Sequence, residues 1–587
     1  MNFRKISIRN RLLCMVLALA MLVSLTACAG SQPTTTAPTT AGTVDSQPTT
    51  VPTEPTTQPT EPTTEPTTTP TEPTTQPTEP EPTDPPALNG SDLEYALTQD
   101  DVSDFYQMLT DCEALSLVGE DLDAIEVAID ELDALYEYLN AQCSISMILH
   151  YRHSKNAELE QQYLDCVDIC TEANDAYLQM VRRLYLSDTP AKDMLFEGWT
   201  EEDIASLMAY DEQIVQLQQR NAEIGVEYRA ATSDSKKIAL YIEFVGNNNT
   251  IAQFYGYDNY YDYAYERSYD RDYGREEMEQ MRQYAKEYLG YAQFRAMSNF
   301  SYSYHTNLPS NEQKLVYNFL FEDHTKLYKD YVGMYMEAVP QDLADAFNSM
   351  LLYDSMFVNF GDSNPGAFTT MIGDRSYCYF GPGYASVSTV IHEGGHYFAS
   401  LYSDLMSIPL DLAETHSQGN EWLFAKFLDG NMPKKQYKAV VDYKLYENMC
   451  TILMCLMVDE FEQRVYTTDL TGFTAVDFDA IMDEIALQYF PNGDVKEMLA
   501  DMNGYWRLVV VDQPVYYVSY AVSAIAAMSL YIQAEEDFDT AMASYMKLCQ
   551  EPVIEDGFLG NIQAAGLYSP FDEEFYKLIT DILNNRS

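Results

Sequence analysis

The chain has 587 residues and a formal net charge of −57, with 91 acidic against 34 basic side chains. A surface of that sign repels phosphates and excludes nucleic acid as a partner. The bland reading of the charge is a solubilising surface, and about 500 residues beyond a low-complexity start suffice for a large core.

The amino-terminal segment reads as an export signal. Arg4, Lys5, Arg9 and Arg11 make a basic start, and Leu12 to Leu25 form an apolar run too short for a comfortable bilayer span. The run closes Leu25-Thr26-Ala27-Cys28, which resembles a bacterial lipoprotein signal. That resemblance implies removal of residues 1–27 and a lipid on Cys28; an uncleaved anchor or an ordinary secretory signal is the alternative. The expected location is the extracytoplasmic face of a bacterial cell membrane, with the chain anchored by lipid rather than threaded through. Residues 28–87 are rich in Thr, Pro and Glu. They carry almost no apolar side chains and cannot bury a core. Frequent Pro favours extended polyproline II, so a disordered, semi-rigid stalk is expected.

Beyond the stalk the periodicity predicts a mainly α-helical body. Apolar residues recur at three- and four-residue steps over Asp121 to Leu139, Ala157 to Tyr185, Asp211 to Arg229 and Arg275 to Ala296. Strand-like alternation is scarce, with short candidates at Ser376 to Phe380 and Arg507 to Val511. We expect an N-terminal helical domain over residues 88–255 and a catalytic domain over 256–587. Cys166 and Cys170 share a helix face, yet the pair is neither a zinc knuckle nor an obvious disulfide.

The most informative stretch is His392-Glu393-Gly394-Gly395-His396, which reads H-E-x-x-H. Residues four apart lie one above the other on a helix, so both imidazoles can reach one cation. Glu393 sits about 100° round the helix, where it can face a metal-bound water without being a ligand. The spacing is that of a zinc hydrolase; the alternative is two ordinary histidines on an amphipathic helix. Ser386, Ser388 and Thr389 offer helix caps, and Val387, Ile391, Phe398 and Leu401 continue the apolar pattern. Two glycines inside a helix cost about 1 kcal/mol each against alanine. That cost fits close approach of another element or of a substrate backbone.

A catalytic zinc takes three protein ligands. Pro409 and Asp411 mark a break, with Asp411 a candidate N-cap. On the helix that follows, Glu414, Ser417, Gln418 and Glu421 share a face. Glu414 is the preferred third ligand, and His416 the competitor off that face. Glu421 is placed to support a ligand imidazole, or is an exposed glutamate. The extended H-E-x-x-H-x-x-G-x-x-H pattern fails at Ala399 and Tyr402.

His392-Glu393-Gly394-Gly395-His396 followed by Glu414-Thr415-His416-Ser417 resembles the oligoendopeptidase F and thimet oligopeptidase family. Ala252 to Tyr260, Arg271-Asp272-Tyr273 and the tyrosine-rich Pro514 to Ala521 resemble further segments of that family. The resemblance spans roughly residues 200 to 570. It implies a large two-lobed helical body around a deep channel that admits short unfolded peptides, and one Zn2+ per chain. It also implies that Tyr517 and Tyr520, with Tyr516 as alternate, donate hydrogen bonds to the scissile carbonyl as it becomes an oxyanion. The chain has 47 Tyr, so a chance cluster is the competing explanation.

The expected chemistry is metal-assisted peptide hydrolysis. Zinc on His392, His396 and Glu414 activates water, and Glu393 carries the proton. The alternatives are a zinc carboxypeptidase or peptidyl-dipeptidase on a similar fold, or a non-catalytic surface peptide-binding lipoprotein. Oligomeric state is open, with a monomer favoured.

Overall fold

The computed structural model describes residues 93–586 except 209–211, 323–324, 353–355, 359–362, 374, 404–407, 491–495 and 512. The expected signal segment, Cys28 and the stalk lie outside the described residues. The fold is mainly α-helical, with one small three-stranded sheet among the described residues.

Apolar side chains gather in two clusters. The first is built on three helices, Gln99–Val118, Leu122–Arg152 and Ala157–Leu186, which pack on one another. Phe105, Ile125, Leu132 and Tyr177 are among its buried residues. Each of the three helices starts at a polar cap. Thr98 and Asp101 form a capping box, Asp121 accepts from the Ala124 amide, and Asn156 accepts from Glu158 and Leu159. The helix expected to stop at Leu139 runs on to Arg152. No Gly or Pro interrupts residues 140–152, and apolar residues continue at helical spacing.

The second cluster runs from Ile224 to Leu583. Its centre is three long helices: Leu410–Phe427, Lys434–Tyr466 and Val518–Glu536. The sheet lies between the clusters. Its strands are β1 Met356–Val358, β2 Ala367–Ile372 and β3 Arg375–Phe380, in the order β1-β3-β2. The β2/β3 pair is antiparallel, with Thr369 opposite Cys378. Side chains alternate across a strand. Tyr377 and Tyr379 therefore enter the first cluster, while Cys378 and Phe380 enter the second. Thr369, opposite Cys378, shares the face of the second cluster.

Two sequence expectations change. Of the strand candidate at Arg507 to Val511, the first three residues end helix Lys496–Val509 and the last two form a turn. The β-branched run resembles a strand, but buried Met502, Tyr505, Trp506 and Val509 recur at helical spacing. The helix expected over Arg275 to Ala296 is interrupted by a π-helical segment, Ala285–Leu289. Gly290 follows it, where a Cβ would collide with the backbone carbonyl of Tyr489. Among the described residues no helix is long and apolar enough to cross a membrane.

A buried ion pair ties the segment after residue 260 to helix Lys434–Tyr466. Arg282 Nε donates to Asp459 Oδ2 at 3.1 Å, and the Tyr265 hydroxyl donates to Asp459 Oδ1 at 2.7 Å. Removing one partner of such a pair strands the other charge. Asp459→Ala is expected to lower the unfolding free energy by about 3–5 kcal/mol in denaturant titration; a loss below about 1 kcal/mol contradicts the assignment.

Candidate metal centre

Helix Val387–Ser400 carries the H-E-x-x-H motif. Ser386 caps it, accepting from the Thr389 amide at 3.3 Å. Both glycines have steric reasons. A Cβ on Gly394 would collide with the Phe347 ring. A Cβ on Gly395 would lie 2.7 Å from the His416 carbonyl oxygen and 2.8 Å from Ser417 Cα, both on helix Leu410–Phe427. The two helices thus meet backbone to backbone. Asn420 Nδ2 reinforces the contact, donating to the Ile391 carbonyl at 2.8 Å.

Helix Leu410–Phe427 starts after Pro409, and Asp411 is not its cap. Asp411 is buried instead. Its Oδ2 accepts from the Tyr273 hydroxyl at 2.8 Å and lies 3.8 Å from Arg271 Nε. A buried cation and phenol outcompete the capping role.

The contact brings three candidate ligands together. His392 Nε2 lies 3.6 Å from Glu414 Oε2, and His396 Nε2 lies 3.7 Å from the same oxygen. One ligand atom from each of the three residues falls within 4.8 Å of the others. Tetrahedral zinc with bonds of about 2.0–2.2 Å needs ligand atoms roughly 3.3–3.6 Å apart. Two imidazoles and a carboxylate at this spacing fit zinc. His416 is not in the group; its Nε2 faces the Leu548 carbonyl at 3.1 Å.

The surrounding residues orient the ligands. His392 Nδ1 lies 2.7 Å from Glu421 Oε1, which turns Nε2 towards the ligand group. Glu421 Oε2 accepts from Ser388 Oγ at 2.8 Å and from Lys444 Nζ. Burial alone would raise the Glu421 pKa, but Lys444 and His392 pull it down to about 2. Burial likewise opposes a charged His392, yet Glu421 lifts its pKa to about 9. Burial pushes Glu414 up to about 7 against the pull of His392. His396 is driven well down, by burial and then by His392.

Glu393 is buried, and Thr369 Oγ1 donates to its Oε2 at 2.7 Å. Burial raises its pKa, against the pull of His392 and the Thr369 hydroxyl. Thr369 reaches Glu393 because β2 and β3 lie under the motif helix. No residue spacing announces that contact. Nor does any spacing announce that Lys444 and Ser388 meet Glu421.

The Tyr520 hydroxyl lies near the Glu414 carboxyl and, after the larger pull of His392, opposes the upward push of burial. Tyr516 reaches Tyr520, hydroxyl to hydroxyl, at 3.4 Å. The Tyr517 ring packs against Tyr516 and Tyr505. All three leave a turn at Val515, whose φ of 63° is unfavourable for a β-branched residue. That turn is held from three sides. The Val515 amide donates to Glu462 at 2.9 Å, Arg271 donates to the Val515 carbonyl at 2.9 Å, and Tyr269 donates to the Pro514 carbonyl at 2.9 Å. Arg271 also donates to Ser519 Oγ at 2.9 Å. The Arg271-Asp272-Tyr273 stretch therefore couples the tyrosine turn to Asp411 on the ligand helix.

No family model matches the chain, and no curated protein matches its sequence. Solved structures do match. PZ peptidase A, solved with an inhibitor, is 17% identical with a TM-score of 0.64, over 84% of this chain and 99% of its own. A protein described as an oligoendopeptidase F from Bacillus anthracis is 15% identical with a TM-score of 0.66, over 85% of this chain and 98% of its own. The fold is that of PZ peptidase and oligoendopeptidase F. At these identities the likeness establishes architecture, and it extends over nearly the whole length of both neighbours.

Two outcomes follow from the geometry. Glu421→Gln is expected to weaken zinc binding about 10–100-fold in competition with a chelator, while the fold persists; unchanged affinity contradicts the orienting role. Zinc must also displace protons that the metal-free site holds up to about 7 on Glu414 and about 9 on His392. Apparent zinc affinity should therefore rise with pH between those values; a flat profile contradicts the ligand set.

Proposed function

We propose that this protein is a zinc-dependent endopeptidase that hydrolyses internal bonds of short unfolded oligopeptides. The observation that carries this reading is the buried Glu393 carboxylate beside the convergent His392, His396 and Glu414, within a fold shared with oligopeptidases. When bound, zinc supplies a Lewis acid and brings the pKa of water down towards about 7.

Every other role falls to the chain's own side chains. Glu393 takes a proton from the attacking water and passes it to the leaving amine. Thr369 holds Oε2 of Glu393 and leaves Oε1 for that proton. The Tyr520 hydroxyl donates to the carbonyl oxygen as charge develops there, with Tyr516 and Tyr517 as its neighbours. Glu421 keeps His392 in the ligating tautomer. The amino-terminal sequence supports a lipid anchor on Cys28 and an extracytoplasmic location, with the Thr/Pro/Glu-rich stalk as spacer.

The test is digestion of a quenched, unstructured peptide by the purified chain, with chelator and then with zinc restored. Chelator-sensitive, zinc-restored internal cleavage is expected. Stepwise loss from the C-terminus would assign a carboxypeptidase or peptidyl-dipeptidase instead. No cleavage at full zinc loading would favour a peptide-binding lipoprotein. Glu393→Gln should retain zinc and lower kcat by about 10²–10⁴-fold or more; full activity sinks the mechanism. Tyr520→Phe should lower kcat by about 10²–10³-fold with little change in KM. An unchanged kcat there would pass the role to Tyr516 or Tyr517.

A further inference from the structure

A second convergence of ligand atoms lies in the first cluster and shares no residue with the peptidase centre. Cys143 sits on helix Leu122–Arg152, while Cys166 and Cys170 sit on helix Ala157–Leu186. The three sulfur atoms all lie within 4.8 Å of one another. The thiols are free, and each is at most 2% exposed. Cys166 and Cys170 are four apart, which stacks them on one helix face. The facing helix supplies the third sulfur.

The Cys143 and Cys170 thiols face Cys166, and the Tyr95 hydroxyl lies beside it. Cys170 Sγ is 3.5 Å from the Leu139 carbonyl. Three convergent sulfurs exceed the needs of a disulfide, which would use two and strand one. The stacked pair on one helix is also poorly aimed for a disulfide, because its Cβ atoms point the same way. Among the described residues no carboxylate joins the group, which disfavours hard cations such as Mg2+ and Ca2+. Soft thiolates select Cu+ and Zn2+.

We propose that Cys143, Cys166 and Cys170 form a buried three-sulfur site for one thiophilic d10 cation, Cu+ or Zn2+, that clamps helix Leu122–Arg152 to helix Ala157–Leu186. Each ligating thiol gives up its proton to solvent as the cation enters. The Tyr95 hydroxyl, beside Cys166, is placed to support that sulfur.

The test is an anaerobic titration of the reduced full chain in two arms, one with Cu+ and one with Co2+ as optical stand-in for Zn2+. A sulfur-to-metal charge-transfer band that saturates at one equivalent is expected in at least one arm, together with an upward shift of the thermal midpoint. The Cu+ arm alone would assign a monovalent site, and the Co2+ arm a divalent one. The band should be lost in Cys143→Ala, Cys166→Ala and Cys170→Ala and kept in Cys455→Ala. A readout on the unaltered chain guards against misfolded variants. Bound metal should slow alkylation of Cys143, Cys166 and Cys170 in mild urea and leave Cys455 unaffected. No band in either arm overturns the proposal. So does a band that survives all three substitutions, or a disulfide joining two of the three cysteines in protein isolated without added oxidant.

Discussion

The centre depends on a backbone contact between two helices at Gly395. An ordinary side chain there would meet the His416 carbonyl and Ser417 Cα. Only glycine lets helix Val387–Ser400 come close enough for Glu414 to face His392 and His396. A glycine inside a helix costs about 1 kcal/mol against alanine, and the close packing offsets it. The charges follow from the same contact. Once the helices touch, Glu421 lies within hydrogen-bond reach of His392, and Lys444 from the next helix neutralises it. The line from Lys444 through Glu421 to His392 keeps a buried carboxylate ionised, and that carboxylate sets which ring nitrogen faces the ligand group.

A second support acts on the tyrosines. Val515 holds a backbone conformation that β-branched residues avoid. It persists because Glu462, Arg271 and Tyr269 bind the turn on three sides. Arg271 is also close to Asp411, at the start of the glutamate-bearing helix. The hydroxyl-bearing turn and the ligand-bearing helix are thereby registered to one guanidinium. A shift of either would move Tyr520 relative to Glu414.

The parts of this arrangement that were legible in sequence are those encoded locally. Helical periodicity identified the body, and four-residue spacing identified the His392 and His396 pair. One shared helix face linked Glu414 to Glu421, and two adjacent glycines announced a close approach. What escaped was set by tertiary contact. Thr369 reaches Glu393 from a strand, Lys444 reaches Glu421 from another helix, and Cys143 joins Cys166 and Cys170 across a helix pair. Asp411 looked like a cap because it follows a proline, but a buried arginine and tyrosine claim it. Arg507 to Val511 looked like a strand because β-branched residues are good strand formers; the helical spacing upstream carries the helix through Val509 instead.

The measurement that bears most directly on the account is anomalous scattering at the zinc absorption edge from crystals of the zinc-loaded protein. One peak within about 2.0–2.2 Å of His392 Nε2, His396 Nε2 and a Glu414 oxygen, with Glu421 against His392 Nδ1 and no direct Glu393 bond, is the predicted result. A peak that includes His416, or that leaves Glu414 outside bonding distance, would contradict it.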